Sequence, residues 1–114
     1  MYEQEVIRDD KWEVTRTRDE KGLSGLEFKA TFEGYFIDIK IKEKTHRTKV
    51  ALSLYMQAPN GFRIYPLPGK KTTIIEEDRD TVFTNATRYT YPIRKAIENS
   101  PLDFLKNLYT RNFN

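Results

Sequence analysis

The sequence predicts an α+β domain, in which an antiparallel β-sheet of about five or six strands in meander order is followed by one or two C-terminal helices that pack on it. Two observations lead to this prediction. Through the first two thirds of the chain, apolar residues recur at every second position, the period of strands buried on one face only. From residue 100 onward, apolar residues recur instead at helical spacing.

The strand segments are rich in β-branched and aromatic residues and are separated by turn residues. We predict strands over residues 11–17, 26–32, 35–43, 48–57, 61–65 and 71–77. Residues 19–22, DEKG, and the pair Glu33-Gly34 are turn signals, because glycine accepts a positive φ. Asn60-Gly61 is the strongest turn signal and predicts a type I′ hairpin, whereas Pro68-Gly69 favours a type II turn.

Alternation within these strands assigns one set of side chains to the core of the domain. Successive members lie two positions apart, so each strand places its members on a single face of the sheet. The predicted core residues of the sheet are Leu26, Phe28, Ala30, Phe32, Ile37, Ile39, Ile41, Val50, Leu52, Leu54, Met56, Phe62 and Ile64.

The C-terminal segment carries a helix start at residues 100–103, SPLD. Serine can cap the helix, proline suits its first position, and an acidic residue in the first turn interacts favourably with the helix dipole. The apolar stripe that follows consists of Leu102, Leu105, Leu108 and Tyr109.

The segment before this helix gives mixed signals. Pro92 can open a short helix in which Ile93, Ala96 and Ile97 face the core. Residues 81–91, TVFTNATRYTY, keep some helical spacing, but threonine, tyrosine and valine favour a strand. Because Pro92 would break a helix running through it, we predict strand and loop over residues 81–91.

The length of 114 residues suits one domain over residues 1–114, and the sequence leaves open whether residues 1–10 form a flexible arm. The chain has no cysteine, which excludes disulfides, thiolate metal ligands and cysteine nucleophiles and fits a reducing compartment. We find no signal-peptide pattern and no apolar run of roughly eighteen residues. We therefore expect a cytoplasmic protein without a membrane partner.

Positive charge is concentrated in the middle of the chain. The formal net charge is +3, and residues 34–49 hold five basic residues against two acidic ones. Residues 63–71 add Arg63, Lys70 and Lys71 without an acidic residue, whereas residues 76–80, EEDRD, are strongly acidic. Such segregation of charge can determine which partners a protein binds.

Few residues point to catalysis. Glu76, Asp78 and Asp80 alternate, so an extended chain would present three carboxylates on one side, and His46 is the only histidine. These four residues support a metal-assisted hydrolase hypothesis, since hard cations prefer oxygen ligands. The acidic segment lacks the glycine and distal glutamate of a calcium loop, and residues 68–73, PGKKTT, lack the upstream glycine of a phosphate loop. We therefore assign no catalytic residue, metal ligand or cofactor.

The polar face of the predicted sheet is the remaining functional signal. If the isoleucines of residues 35–43 point inward, then Phe36, Lys40 and Lys42 point outward, and neighbouring strands add further aromatic and basic residues. Bases of a single strand stack on aromatic rings, while cations bind the phosphates. The predicted binding residues for single-stranded DNA or RNA are Phe36, Lys40, Lys42, Lys49, Tyr55, Arg63, Tyr65, Lys70 and Lys71.

A protein-interaction or inhibitor module is the alternative function. Segregated charge could complement a partner, and an open sheet edge could accept a strand from that partner or from a second copy of the chain, giving a homodimer. The aromatic residues of the polar face could also be the surface on which the helices pack, in which case that face would not bind a ligand. The sequence leaves these alternatives open.

Overall fold

The computed structural model describes residues 3–45, 49–66 and 86–113 and shows a sheet followed by two helices. The strands are β1 (Glu3–Asp9), β2 (Trp12–Arg18), β3 (Ser24–Phe32), β4 (Tyr35–Thr45), β5 (Lys49–Gln57) and β6 (Arg63–Ile64), and the helices are α1 (Ala86–Asn99) and α2 (Pro101–Phe113). Neighbouring strands are antiparallel and the sheet order follows the chain, β1-β2-β3-β4-β5-β6. The predicted α+β fold is confirmed, while the strand predicted over 71–77 lies outside the described residues.

Strand β1 is an element that the sequence pattern did not predict. It lies within residues 1–10, whose order the sequence left open. β1 pairs with β2 from Glu3–Arg18 to Asp9–Trp12, and Asp10 turns the chain with a φ of 57°. Charged residues interrupt the apolar period of EQEVIRD, so pairing with β2, rather than local pattern, makes this segment a strand.

The turn between β3 and β4 fixes which side chains meet across the two longest strands of the first half. Glu33 and Gly34 both have positive φ, 50° and 82°, as a type I′ turn requires. Phe32 therefore pairs with Tyr35, and each earlier residue of β3 meets a later residue of β4. A side chain at position 34 would also meet Pro59, because an added Cβ would lie 3.0 Å from the Pro59 Cγ.

The turn at Asn60-Gly61 differs from the predicted type I′ hairpin. The Gly61 amide donates to the Ala58 carbonyl at 2.8 Å, and only Gly61 of the pair has a positive φ, 89°. Asn60 instead accepts a hydrogen bond from the Phe62 amide on its side-chain oxygen at 3.0 Å, a turn contact that asparagine forms readily. Phe62 is 67% exposed and does not join the core, whereas Ile64 packs against the core. Strand β6 contains only Arg63 and Ile64 and is therefore shorter than the strand predicted over 61–65.

The core lies between one face of the sheet and the two helices, and we call that face the inner face. The alternation predicted its centre correctly. Buried predicted residues are Leu26, Phe28, Ala30, Ile37, Ile39, Ile41, Leu54 and Met56, with Phe32, Leu52 and Ile64 partly buried against them. Trp12 and Val14 of β2, Ile97 of α1 and Leu105 of α2 complete the cluster. Within the described ranges, no helix is long and apolar enough to cross a membrane.

Helix α1 begins before Pro92, so the strand and loop predicted over residues 81–91 are wrong for residues 86–91. The side chain of Thr90 is fully buried and accepts a hydrogen bond from Arg94 Nε at 3.0 Å. Ile97 is also fully buried, while Ala96, predicted to face the core, is exposed. Burial of one helical face offsets the backbone hydrogen bond that Pro92 removes.

Helix α2 begins as predicted, but its buried stripe is displaced. The Asp103 amide donates to Ser100 Oγ at 3.1 Å, which is the predicted N-terminal cap. Leu105 is buried and Phe104 packs against the core, whereas Leu102 is exposed. The predicted helical spacing was correct, but the helix face that packs on the core contains Phe104 and Leu105 instead of Leu102 and Leu105.

Arg94 holds α1 on the inner face although it is a charged residue with only 3% exposure. Its guanidinium carbon lies 5.1 Å from the centre of the Phe28 ring and 5.7 Å from that of Trp12, within the range of a cation–π contact. The Trp12 Nε1 donates a 2.7 Å hydrogen bond to Glu98 Oε1, one turn further along α1. The helix is thus joined to β2 and β3 by polar as well as apolar contacts.

The core assignment predicts the effect of shortening one isoleucine. Ile39→Ala should lower the free energy of unfolding by about 2–5 kcal/mol, because the side chain is fully buried and leaves a cavity. Leu52→Ala should cost less, since Leu52 is only partly buried. Urea denaturation measures both values, and a loss below about 1 kcal/mol for Ile39→Ala would contradict the assignment of the inner face.

The Trp12–Glu98 hydrogen bond makes a second prediction about stability. Trp12→Phe removes the donor and part of the ring and should cost about 1–3 kcal/mol or more, as expected for a hydrogen bond to a charged acceptor. Glu98→Gln keeps an oxygen that accepts from the indole and should cost less. Equal losses for the two variants in urea denaturation would contradict this prediction; Glu98→Gln also removes the ion pair of Glu98 with Lys95, whose atoms lie 2.9 Å apart.

Candidate nucleic-acid interface

The face of the sheet opposite the core, which we call the outer face, is the candidate site. Both helices join the core cluster of the inner face, so within the described residues neither of them covers the outer face. The hypothesis that the outer aromatic residues form the packing surface of the helices is therefore wrong for α1 and α2. Strand alternation places Phe36, Asp38, Lys40 and Lys42 of β4 on this face.

Three aromatic rings form a continuous row on the outer face, and we call this row the ring ladder. Phe36 and Tyr55 lie edge to face with ring centres 6.2 Å apart, and Tyr55 and Tyr65 are tilted with centres 5.4 Å apart. These are favourable separations for aromatic pairs. Tyr65 is 66% exposed, whereas Phe36 and Tyr55 are half-buried. The structure thus brings together the three aromatic residues that the sequence predicted for the site.

The predicted basic residues fall into two groups. Lys42 and Arg63 are exposed and make no ion pair with another described residue, so their charges face solvent. Lys40 lies between two carboxylates, with its Nζ 3.6 Å from Glu27 Oε2 and 3.9 Å from Asp38 Oδ2. Part of the positive charge predicted for this face is therefore neutralised within the sheet.

The remaining predicted residues are only partly covered by the structure. Lys49 is the first residue of β5 and pairs with Thr45 of β4. Lys70 and Lys71 lie outside the described residues. So do His46, Glu76, Asp78 and Asp80, on which the hydrolase hypothesis depends. Among the residues that are described, no group of three side chains could hold a metal ion.

A cleft of about 320 Å³ opens beside the ring ladder. Its lining combines an aromatic wall with a guanidinium group, an ammonium group, a hydroxyl group and a carboxyl group. The polar and aromatic lining residues are Asp38, Lys40, Ser53, Tyr55, Arg63 and Tyr65. Register explains this grouping, since Asp38 is directly opposite Tyr55 and Lys40 is opposite Ser53.

Two acidic residues, Glu27 and Asp38, form a carboxyl pair that the sequence prediction did not include in the site. Glu27 is opposite Lys40 and Lys29 is opposite Asp38, so two carboxylates and two ammonium groups meet on adjacent strands. The Glu33-Gly34 turn was the signal that could have found them, because a two-residue hairpin fixes these pairs. The Lys29 Nζ lies 3.5 Å from Glu27 Oε1.

The carboxyl pair has opposite effects on its two members. Burial, followed by the hydrogen bond and the charge of Glu27, raises the pKa of Asp38 from 3.8 to about 7. Burial would by itself raise the pKa of Glu27, but the hydrogen bond from Asp38 and the two lysines lower it. Glu27 is therefore the ionised member of the pair, and Asp38 holds the proton below about pH 7.

Comparison of the chain with protein-family models, with curated proteins and with solved structures finds no match. Function must therefore be argued from the residues of the outer face alone. These residues offer stacking surfaces, exposed cations and a titratable carboxyl group. That combination can hold a flat aromatic ligand that carries negative charge.

The raised pKa of Asp38 predicts how stability depends on pH. The folded protein keeps a proton that the unfolded chain releases above about pH 4, so this contribution to stability is complete below pH 3.8 and is lost as the pH rises through about 7. Asp38→Asn removes the titration, and the stability difference between variant and parent should shift in favour of the variant between pH 5 and pH 8. Urea denaturation at both pH values measures this shift.

The matched control for this experiment is Asp103→Asn, which changes an exposed carboxyl group on α2. Its stability difference from the parent should be the same at the two pH values. A pH-independent difference for Asp38→Asn would mean that Asp38 is ionised in the folded protein throughout this range.

Proposed function

We propose that the protein binds single-stranded DNA or RNA through the outer face of its sheet. The observation that supports this proposal most directly is the ring ladder of Phe36, Tyr55 and Tyr65, which lies on a face that neither described helix covers. The exposed cation Arg63 lies beside Tyr55 and Tyr65, and the exposed Lys42 lies further along β4 on the same face. No catalytic step is part of the proposal.

Stacking is the first source of affinity. The ring of Tyr65 is two-thirds exposed and presents a surface on which one base can stack. Tyr55 packs against that ring with the two ring centres 5.4 Å apart, so the stacking surface is held in place before the ligand binds. Each stacked base contributes roughly 1–3 kcal/mol to binding, whatever its identity.

Charge is the second source of affinity. Lys42 and Arg63 are exposed on opposite sides of the ladder's middle strand, on β4 and β6. A strand whose bases lie over the rings can place its phosphates against these cations. Lys40 contributes less, because Glu27 and Asp38 already compete for its ammonium group. Arg63 also lines the cleft beside Tyr55 and Tyr65, where a planar guanidinium can bind a phosphate with two hydrogen bonds.

A single strand fits the outer face better than a duplex does. The rings lie across neighbouring strands of the sheet and can be reached only by bases that are not stacked within a helix. The major groove of a duplex admits an α-helix or a two-stranded ribbon, which are narrower than this sheet of six strands.

A second candidate function is strand addition to a protein partner, supported by the edge of β1 that no other described strand pairs with. Within the described residues β1 pairs with β2 only, and its outer-face residue Val6 is exposed. An unpaired edge offers backbone donors and acceptors to a partner's strand or to a second copy of the chain. A cytoplasmic location is compatible with either function.

The nucleic-acid proposal predicts two different signatures. Tyr55→Ala and Tyr65→Ala should weaken binding of a labelled oligonucleotide by roughly 1–3 kcal/mol each, with little change in salt dependence. Lys42→Ala and Arg63→Ala should reduce the slope of log affinity against log salt by somewhat under one unit per lost phosphate contact. Fluorescence anisotropy over a salt series measures both quantities.

Matched controls are available elsewhere on the surface. Phe62→Ala removes an aromatic ring as exposed as Tyr65 but outside the ladder, and Lys21→Ala removes an exposed cation in the β2–β3 turn. Neither should change the affinity or the salt slope. If the parent protein shows no binding at low salt, or if the control variants weaken binding as much as the ladder variants do, the proposal is wrong.

A further inference from the structure

The carboxyl pair of Glu27 and Asp38 is unusual because it lies on the face proposed to bind a polyanion. The two carboxyl groups lie beside the same lysine, since Lys40 Nζ is 3.6 Å from Glu27 Oε2 and 3.9 Å from Asp38 Oδ2. Asp38 has only 13% of its side chain exposed, and its buried Oδ1 accepts no hydrogen bond from any of the described residues. An oxygen in this position fits a carboxyl group that carries a proton.

The carboxyl pair holds one negative charge more readily than two. Two carboxylates in contact repel each other, and burial penalises a second negative charge further. The groups that face the pair come from every neighbouring strand: Glu13 of β2, Lys29 of β3, Lys40 of β4, Tyr55 of β5, and Arg63 and Tyr65 at β6. The nearest cations are Lys29 and Lys40, and Glu27 already binds both.

The position of Asp38 connects this titration to the proposed site. Asp38 is directly opposite Tyr55 in the β4–β5 register and lines the cleft together with Tyr65 and Arg63. Loss of its proton would add one negative charge beside the stacking surface and would draw Lys40 towards the pair. The charge that a bound phosphate meets therefore depends on whether the proton is present.

We propose that the Glu27–Asp38 pair makes ligand binding by the outer face proton-linked, so that a nucleic-acid strand binds the form with one proton on the pair more tightly than the form without it. This inference rests on the proposed function. It gives the site a regulator that consists of one shared proton and needs no change of fold.

The linkage between proton binding and strand binding determines whether affinity rises or falls with pH. The strand's phosphates disfavour a second negative charge on the pair, so binding retains the proton and affinity falls as the pH rises. Burial and Glu27 together raise the pKa of Asp38 to about 7, which places the change in the physiological range. One unit charge close to a phosphate in water changes affinity by about fivefold.

The experiment measures oligonucleotide affinity against pH. Fluorescence anisotropy with labelled oligothymidylate, at fixed ionic strength from pH 5.5 to pH 8.5, is carried out on the parent chain and on Asp38→Asn. The oligonucleotide carries no terminal phosphate, because a phosphomonoester titrates within this range. The parent should lose affinity about fivefold across the range, whereas Asp38→Asn, neutral throughout, should keep the affinity of the acid form.

Two further variants exclude other titrating groups. Histidine in general titrates between about pH 5 and pH 8, so the control for the single histidine is His46→Asn, which should retain the pH dependence of the parent. Glu27→Gln removes the neighbouring charge that raises the pKa of Asp38, so its pH profile should move to lower pH. The carboxyl-carbon NMR titration of Asp38 in the free protein should likewise move to lower pH in Glu27→Gln and stay unchanged in His46→Asn.

The possible failures are distinguishable. Binding that is strong but independent of pH, or that has the same pH dependence in Asp38→Asn as in the parent, overturns the proton-linked inference and leaves the proposed function standing. Absence of binding at every pH overturns the proposed function and this inference with it. A pH dependence that disappears in His46→Asn assigns the effect to the histidine and overturns the role of the pair.

Discussion

The contact of Arg94 with Trp12 and Phe28 determines which face of the sheet is covered. A guanidinium group that packs on two aromatic rings can remain charged while nearly all of it is buried, provided that its donors are used, and Thr90 accepts from Nε. With α1 held on the inner face, the isoleucine row of β4 is buried and the opposite side of each strand stays open. The outer face is open to a ligand because both described helices pack on the inner face.

The outer face is not the uniformly basic surface that charge counting along the chain indicates. Strand pairing brings Glu27 and Asp38 against Lys29 and Lys40, and the ionised Glu27 lies 3.5 and 3.6 Å from the two ammonium groups, so part of the lysine charge is balanced locally. What faces solvent is a smaller set, Arg63 beside the ring ladder and Lys42 further along β4, opposite Ala51. Under the proposed function, binding would therefore depend on stacking at least as much as on charge, and a single charge on Asp38 would be large relative to the total.

Where the sequence pattern failed, tertiary contacts overrode local preference. Residues 86–91 favour a strand by composition, but burial of Thr90 and packing of α1 against β2 and β3 make them helical despite Pro92. Strand β1 lacks a clear apolar period and is held by its ladder with β2. Leu102 and Phe62 follow the predicted period and yet are exposed, because period identifies a face of an element but not the neighbour that will cover it.

The sequence by itself determined the fold class, the strands β2 to β5, the start of α2 and the aromatic residues of the site, since alternation, turn glycines and caps act over only a few residues. It also contained the β3–β4 register, because a two-residue turn at Glu33-Gly34 allows only one pairing. Only the tertiary structure decided that the helices cover the inner face and that Tyr65 packs on Tyr55. It alone brought a buried Asp38 against Glu27, because the pKa of a carboxyl group depends on burial and charge from strands that are separate in sequence.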